Sequence, residues 1–253
     1  MGVLFISKLK IYIEKDKNEG GNMNEIIVII ICILILVFTK IGLNIKFKDL
    51  KQLKTRTNEK ARKMSEKFPD DEEMCKDILK KLGNNSEVKI LKNEEYNSCL
   101  YTIYNNTITL GKFKEDYIKP QTIAHECVHS CQSKVMLWFN FIISNIFNLF
   151  YIVTLIFAIF NKLPNANLFL IILTGIAFIQ YVIRNALEME AMTRAPYVAK
   201  EYLAENKILT EKEIKDLLEE YEDVNKIGMP ITNYSLILKS IVKVIIFCIV
   251  VLI

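Results

Sequence analysis

The chain has 253 residues, of which 51% are hydrophobic and 25% are charged, and its formal net charge is +4. The apolar residues collect in long runs between charged stretches, which excludes an ordinary soluble domain and is typical of an integral membrane protein. The mild charge gives no reason to expect a nucleic-acid partner, and the six scattered cysteines indicate reduced thiols facing the cytosol rather than a disulfide framework.

The first apolar run predicts a transmembrane helix. Residues 1–24 are predicted to be an N-terminal extension and residues 25–43 to be the first span, since the run 26–38 is made almost wholly of Ile, Leu and Val. A basic stretch comes next, so the positive-inside rule predicts that the C-terminal end of this span faces the cytosol. Its basic residues are Lys40, Lys46, Lys48, Lys51, Lys54, Arg56, Lys60, Arg62, Lys63 and Lys67.

Residues 44–134 are predicted to form a small cytosolic α+β segment. An amphipathic pattern predicts a helix at 71–82, and alternating apolar residues predict strands at 88–91 and 100–104. The pair Asn105–Asn106 tolerates the positive φ of a hairpin turn. Pro120 suits the first turn of a helix, which places residues 123–132 on that helix.

Two further apolar runs, at 135–161 and 166–184, are predicted to be the second and third spans, joined by a short external turn. Residues 185–230 are predicted to return to the cytosol as polar helices at 195–206 and 211–224, the second of which begins with a Thr210–Glu213 capping box. Residues 235–253, apolar apart from Lys239 and Lys243, are predicted to form a fourth span. The asparagines of the second span are expected to make interhelical hydrogen bonds.

Both histidines of the chain lie in the stretch TIAHECVHSCQ, as His125 and His129, with Glu126 directly after the first. Residues four apart on a helix project side by side, so two imidazoles at this spacing can bind one Zn²⁺. A carboxylate one step around the helix can take a proton from the water that the zinc activates. The pattern therefore predicts a catalytic zinc centre, and coincidental or structural histidines are the alternative.

A catalytic zinc needs a third protein ligand, which must here be a carboxylate or a cysteine. The best candidate is Glu188, in the stretch ALEMEAMTRA after the third span, because a hairpin of two spans begins and ends on one side of the membrane. An ordinary solvated helix face is the alternative for Glu188 and Glu190. Cys127 and Cys131, four residues apart, are a rival metal site, although packing is the favoured role for them.

The segments NTITLG, IAHECVHSCQ and LEMEAMTRA follow one another in that order, with two spans before the last. This arrangement resembles the YugP-like family of bacterial membrane neutral zinc metallopeptidases, in which a hairpin strand leads into AHEVGHAIQ, two spans follow, and then EFDASRRA. A more distant likeness is to the HtpX and CAAX-prenyl protease group. The resemblance covers roughly residues 72–253.

The resemblance implies a mainly α, multi-pass protein of the cell membrane with a small α+β element and a zincin-like core built on the HExxH helix. It implies zinc bound by His125, His129 and Glu188, with Glu126 as general base. The activity implied is hydrolysis of peptide bonds in protein or peptide substrates, membrane proteins included.

The resemblance also assigns residues around the zinc. Glu190 stands where the family has Asp and is expected to orient a histidine. Arg194 matches a family arginine and, with Tyr197 or another tyrosine, is a candidate catalytic donor to the oxyanion. Val128 replaces the usual Gly, which keeps open a catalytically degenerate membrane scaffold or chaperone-like protein of the same fold. A transporter is disfavoured because no internal repeat is visible.

Overall fold

The computed structural model describes residues 23–46, 48–49, 51, 58–84, 86–93, 95–113 and 116–253. The predicted N-terminal extension therefore lies outside the described residues up to residue 22. The described part is mostly helical and contains one small sheet. Its elements are the helices α1 (Met23–Gly42), α2 (Glu59–Ser65), α3 (Asp71–Lys81), α4 (Lys119–Cys131), α5 (Lys134–Ile159), α6 (Ala166–Glu205) and α7 (Glu211–Leu252), and the strands β1 (Lys89–Lys92), β2 (Leu100–Thr102) and β3 (Thr107–Leu110).

The described residues divide into two compact units. A polar unit contains residues 44–142 and 183–233, and an apolar unit contains residues up to 43 together with 143–182 and 234–253. Each unit is thus assembled from chain segments that alternate along the sequence.

Short helices of the polar unit are fixed by the capping chemistry of their sequences. The side chain of Asn58 accepts a hydrogen bond from the amide of Ala61 at the start of α2, and Asp70 accepts one from Glu72 at the start of α3. At the start of α7, the Thr210 amide donates to Glu213 and the Glu213 amide donates to the Thr210 hydroxyl, which confirms the predicted capping box.

The sheet has the strand order β1–β3–β2, with β1 parallel and β2 antiparallel to the central β3. The turn between β2 and β3 contains Asn106 at φ +49°, which confirms the predicted hairpin. Because β3 is central, the open edge of the hairpin is β2. Gly111 directly follows β3 and allows the loop before β2 to cross close by, since a Cβ there would lie 2.3 Å from the Ser98 carbonyl oxygen.

Helix α6 is longer than the sequence predicts, because one continuous helix replaces the separate helices expected at 166–184 and 195–206. Pro196 lies inside it and cannot donate a hydrogen bond to the carbonyl of Met192. The side-chain amide of Asn225 donates to that carbonyl instead, at 2.8 Å. The vacant acceptor is therefore satisfied, and the helix continues. Likewise, the helices expected at 211–224 and 235–253 are one helix, α7.

Four helices in the described part of the chain, α1, α5, α6 and α7, are long and apolar enough to cross a membrane. The apolar unit buries a core that includes Phe147, Leu173 and Phe247, yet its outer surface is also apolar, with Leu149 and Ile171 among the exposed side chains. A helix whose whole circumference is hydrophobic, including the face that is not packed against other helices, is typical of a membrane span. The fold is accordingly that of a helical membrane protein with a polar unit.

Candidate metal centre

The HExxH residues lie in the second half of α4, which begins at Lys119 with Pro120 in its first turn, as predicted. His125 is partly exposed, and His129 and Glu126 are buried. The Nε2 atoms of the two imidazoles lie 3.0 Å apart, and the rings meet edge to face. One turn of helix therefore directs both ring nitrogens toward a common point.

Glu188 of α6 completes the cluster. Its Oε2 lies 3.4 Å from His125 Nε2, and its Oε1 lies 3.7 Å from His129 Nε2. A tetrahedral ion bound at about 2.1 Å by each ligand holds the ligand atoms about 3.4 Å apart. The separations of 3.0, 3.4 and 3.7 Å, the last two measured to different oxygens of Glu188, are close to that value. The two imidazoles and the carboxylate are therefore a group that could hold one metal ion.

Gln132 determines which nitrogen of His129 is available to a metal. Its Nε2 donates to the carbonyl of Leu187 at 2.8 Å, and a carbonyl can only accept. Its Oε1 must therefore be the atom that faces His129 Nδ1, at 2.8 Å. In the neutral ring, Nδ1 then carries the proton and Nε2 carries the lone pair, as a metal ligand requires.

Glu190 and Arg194 extend this network. Gln132 Nε2 also donates to Glu190 Oε2 at 3.0 Å, and the guanidinium of Arg194 donates to Glu190 Oε1 at 2.9 Å. Glu190 is thus connected to His129 only through Gln132, and its expected role in orienting a histidine stays a prediction. Arg194, nearly half exposed, belongs to this supporting chain, and its expected role as an oxyanion donor stays a prediction.

Arg184 is a partner of the centre that was not predicted from the sequence. It lies one turn before Glu188 on α6, and its guanidinium nitrogen is 2.5 Å from Glu188 Oε1. The contact restrains the same carboxylate oxygen that faces His129. The signal was present in the sequence, because residues four apart on a helix are neighbours.

Glu126 contacts the open edge of the sheet. Its Oε2 accepts a hydrogen bond from the backbone amide of Tyr101, in β2, at 2.6 Å. This bond anchors one carboxylate oxygen of Glu126 to strand β2. Among the described residues, the cluster of potential ligands consists of His125, His129 and Glu188.

The electrostatics of the centre favour a cation. The pKa of His129 is raised above its ordinary value, although burial, the largest influence, acts in the opposite direction. Hydrogen bonding to Glu188 and the negative charges of Glu126 and Glu188 outweigh that burial. Two carboxylates therefore create a negative potential at His129, and such a potential attracts a metal ion as well as a proton.

The cysteines on α4 do not join the cluster. Cys127 is fully buried, and its sulfur lies 3.7 Å from that of Cys75 on α3. Cys131 is partly exposed and lies beside the hydroxyl of Ser130. The packing role predicted for Cys127 fits its burial.

No protein-family model matches the chain, and neither the curated proteins nor the solved structures contain a match to it. The site is therefore interpreted from its own geometry.

Proposed function

We propose that the protein is a membrane-embedded zinc metallopeptidase of the YugP-like kind, with a zincin-like core and its centre at His125, His129 and Glu188. The observation that carries the proposal is the convergence of these three side chains. Glu126 follows His125 directly in the chain. Two imidazoles and one carboxylate are the donor set of many catalytic zinc sites, and three protein ligands leave a fourth position for water or substrate.

Zinc, when bound there, supplies a Lewis acid that polarises the peptide carbonyl and makes water a better nucleophile. The remaining steps belong to the side chains. Glu126 accepts the proton of the attacking water and passes it to the amine that leaves. Tyr101 holds one oxygen of Glu126, so the other oxygen is the one assigned to the proton. Gln132 keeps His129 in the tautomer that binds metal.

The open edge of the sheet is the proposed position of the substrate. Strand β2 lies at an edge, and its residue Tyr101 is next to the general base. An extended peptide that adds to this edge as a further strand brings its backbone to the centre. The proposed substrates are proteins or peptides, membrane proteins among them. Proline substitutions along β2 that leave cleavage unchanged would remove this mode of binding.

The proposed location is the cell membrane, with the polar unit in the cytoplasm. The proposal that both segments of the polar unit lie on the same side of the bilayer is supported by their packing as one unit. The hairpin of α5 and α6 between them satisfies that condition, because it crosses the membrane twice. The basic residues that follow α1 in the sequence support the proposal that this side is the cytoplasm.

The test compares purified wild type with Glu126→Gln on an unfolded membrane-protein substrate in detergent. We expect Glu126→Gln to keep its zinc and to lose cleavage, because the amide cannot accept the proton. Glu66→Gln is the matched control, because Glu66 is exposed on the same unit. This variant should cleave the substrate as wild type does. Equal cleavage by wild type and Glu126→Gln would exclude Glu126 as the base. Inactivity of both would favour the degenerate scaffold.

A further inference from the structure

Within the apolar unit, a lysine and an asparagine meet on neighbouring helices. The ammonium of Lys243, on α7, donates to the side-chain oxygen of Asn148, on α5, at 2.5 Å. It also lies 4.6 Å from the ring centre of Phe147 and 5.6 Å from that of Tyr151. Among the described residues, the partners of this cation are thus an amide and two aromatic rings, and none carries a negative charge.

This pair lies near the middle of the predicted spans. Asn148 is roughly 16 Å from the end of α5 at Ile159, at 1.5 Å per residue. The hydrocarbon core of a bilayer is about 30 Å thick. The hydrogen bond from Gln180 of α6 to Ser144 of α5 shows that the two helices run side by side, which agrees with this depth. Lys243 shares the depth of Asn148 because the two are in contact.

The pair is also open to the surroundings of the unit. Asn148 is exposed and Lys243 is half-buried. In the membrane, that surface faces hydrocarbon, where polar groups without partners are costly and charged ones more so. A lysine side chain extends only about 6 Å, so Lys243 cannot carry its charge to the membrane surface. A positively charged ammonium group at this depth indicates a binding site for an anionic group.

We infer that Lys243 and Asn148 bind the carboxylate of an acidic residue in the middle of a partner protein's transmembrane helix. Two sets of hydrogen-bond donors are present there. The ammonium of Lys243 has two N–H groups besides the one that it donates to Asn148, and the amide nitrogen of Asn148 has two N–H groups. A carboxylate accepts hydrogen bonds at both oxygens, and it neutralises the lysine.

The depth of the site identifies the source of the carboxylate. Lipid phosphates and the carboxylates of fatty acids lie at the membrane surface, about 15 Å from the midplane. A second copy of this chain supplies no such group, because the only acidic residue in its four predicted spans is Glu25, at the end of the first. A spanning helix of a different protein is therefore the occupant. The inference does not depend on the metal centre or on peptidase activity.

The experiment uses the full-length protein in neutral phospholipid vesicles with designed transmembrane peptides of Leu and Ala. One peptide carries a single Asp at its centre, one carries Asn there, and one carries Asp at its end. Energy transfer from labelled protein to labelled peptide reports binding. We expect the central-Asp peptide to bind about tenfold more tightly than the central-Asn peptide, as for a good interhelical polar pair.

Substitutions then assign the preference to the site. The preference for the central-Asp peptide over the central-Asn peptide should be abolished in Lys243→Met, kept in Lys243→Arg and weakened in Asn148→Leu. The matched control is Lys239→Met, one turn earlier on α7, which should behave as wild type; a variant is compared only if it elutes as a single species. Equal binding of the central-Asp and central-Asn peptides would overturn the inference, as would a preference that survives Lys243→Met. Displacement of the peptide by a long-chain fatty acid would overturn the assignment to a helix.

Discussion

Gln132→Met tests whether the tautomer of His129 is fixed by a neighbouring side chain. Gln132 is buried, and its side chain makes three hydrogen bonds, to His129, Leu187 and Glu190. Methionine has nearly the same shape but cannot hold the Nδ1 proton, so part of the ring population carries its proton on Nε2. Loss of such a supporting bond lowers metal affinity by about 10–100-fold. That range corresponds to about 1.4–2.8 kcal/mol of binding free energy.

The assay is competition for zinc between the purified protein and a chromophoric chelator. The control is Gln121→Met on the same helix, because Gln121 bonds to Asn225 and not to a histidine. Both variants lose a side-chain amide, and only Gln132→Met should lose affinity. Wild-type zinc affinity in Gln132→Met would refute the role given to Gln132, and an equal loss in both variants would attribute the effect to general destabilisation.

Three further predictions concern the polar unit. Gly111→Ala should lower the free energy of unfolding by about 1–3 kcal/mol in thermal or denaturant melts, because the new Cβ would lie within 2.6 Å of two backbone carbonyl oxygens; unchanged stability would refute this close approach. Asn225→Leu should cost about 1–3 kcal/mol, since it leaves the Met192 carbonyl beside Pro196 without a donor, and a neutral effect would mean that water replaces it. An alkylating reagent should label Cys131 before Cys99, whose pKa burial raises to about 12; mass spectrometry that finds Cys99 labelled first would contradict its burial.

The parts of the site that the sequence predicted are those governed by helix periodicity. His125 and His129 converge because they are four residues apart, and Pro120 begins their helix as expected. Glu188 could be chosen as the third ligand because a membrane hairpin returns the chain to its starting side. The structure then brings its carboxylate to the histidines.

The parts that were missed depend on tertiary contacts. Gln132 stands at the end of the quoted motif, yet its bond to a carbonyl on α6 cannot be read from spacing. Residue 101 was assigned to a strand, but its hydrogen bond to Glu126 requires the packing of the sheet against α4. The length of α6 was missed because the apolar run of the third span ends at residue 184. The helix also continues through Pro196, where Asn225, far along the chain, supplies the replacement donor.

The metal content of the purified protein tests the central claim most directly. Wild type, prepared without chelators and measured by elemental mass spectrometry, should hold about one zinc per chain. His129→Ala and Glu188→Ala should each hold far less, while Glu66→Gln should match wild type. A folded wild type that is free of metal and takes up no added zinc would contradict the account.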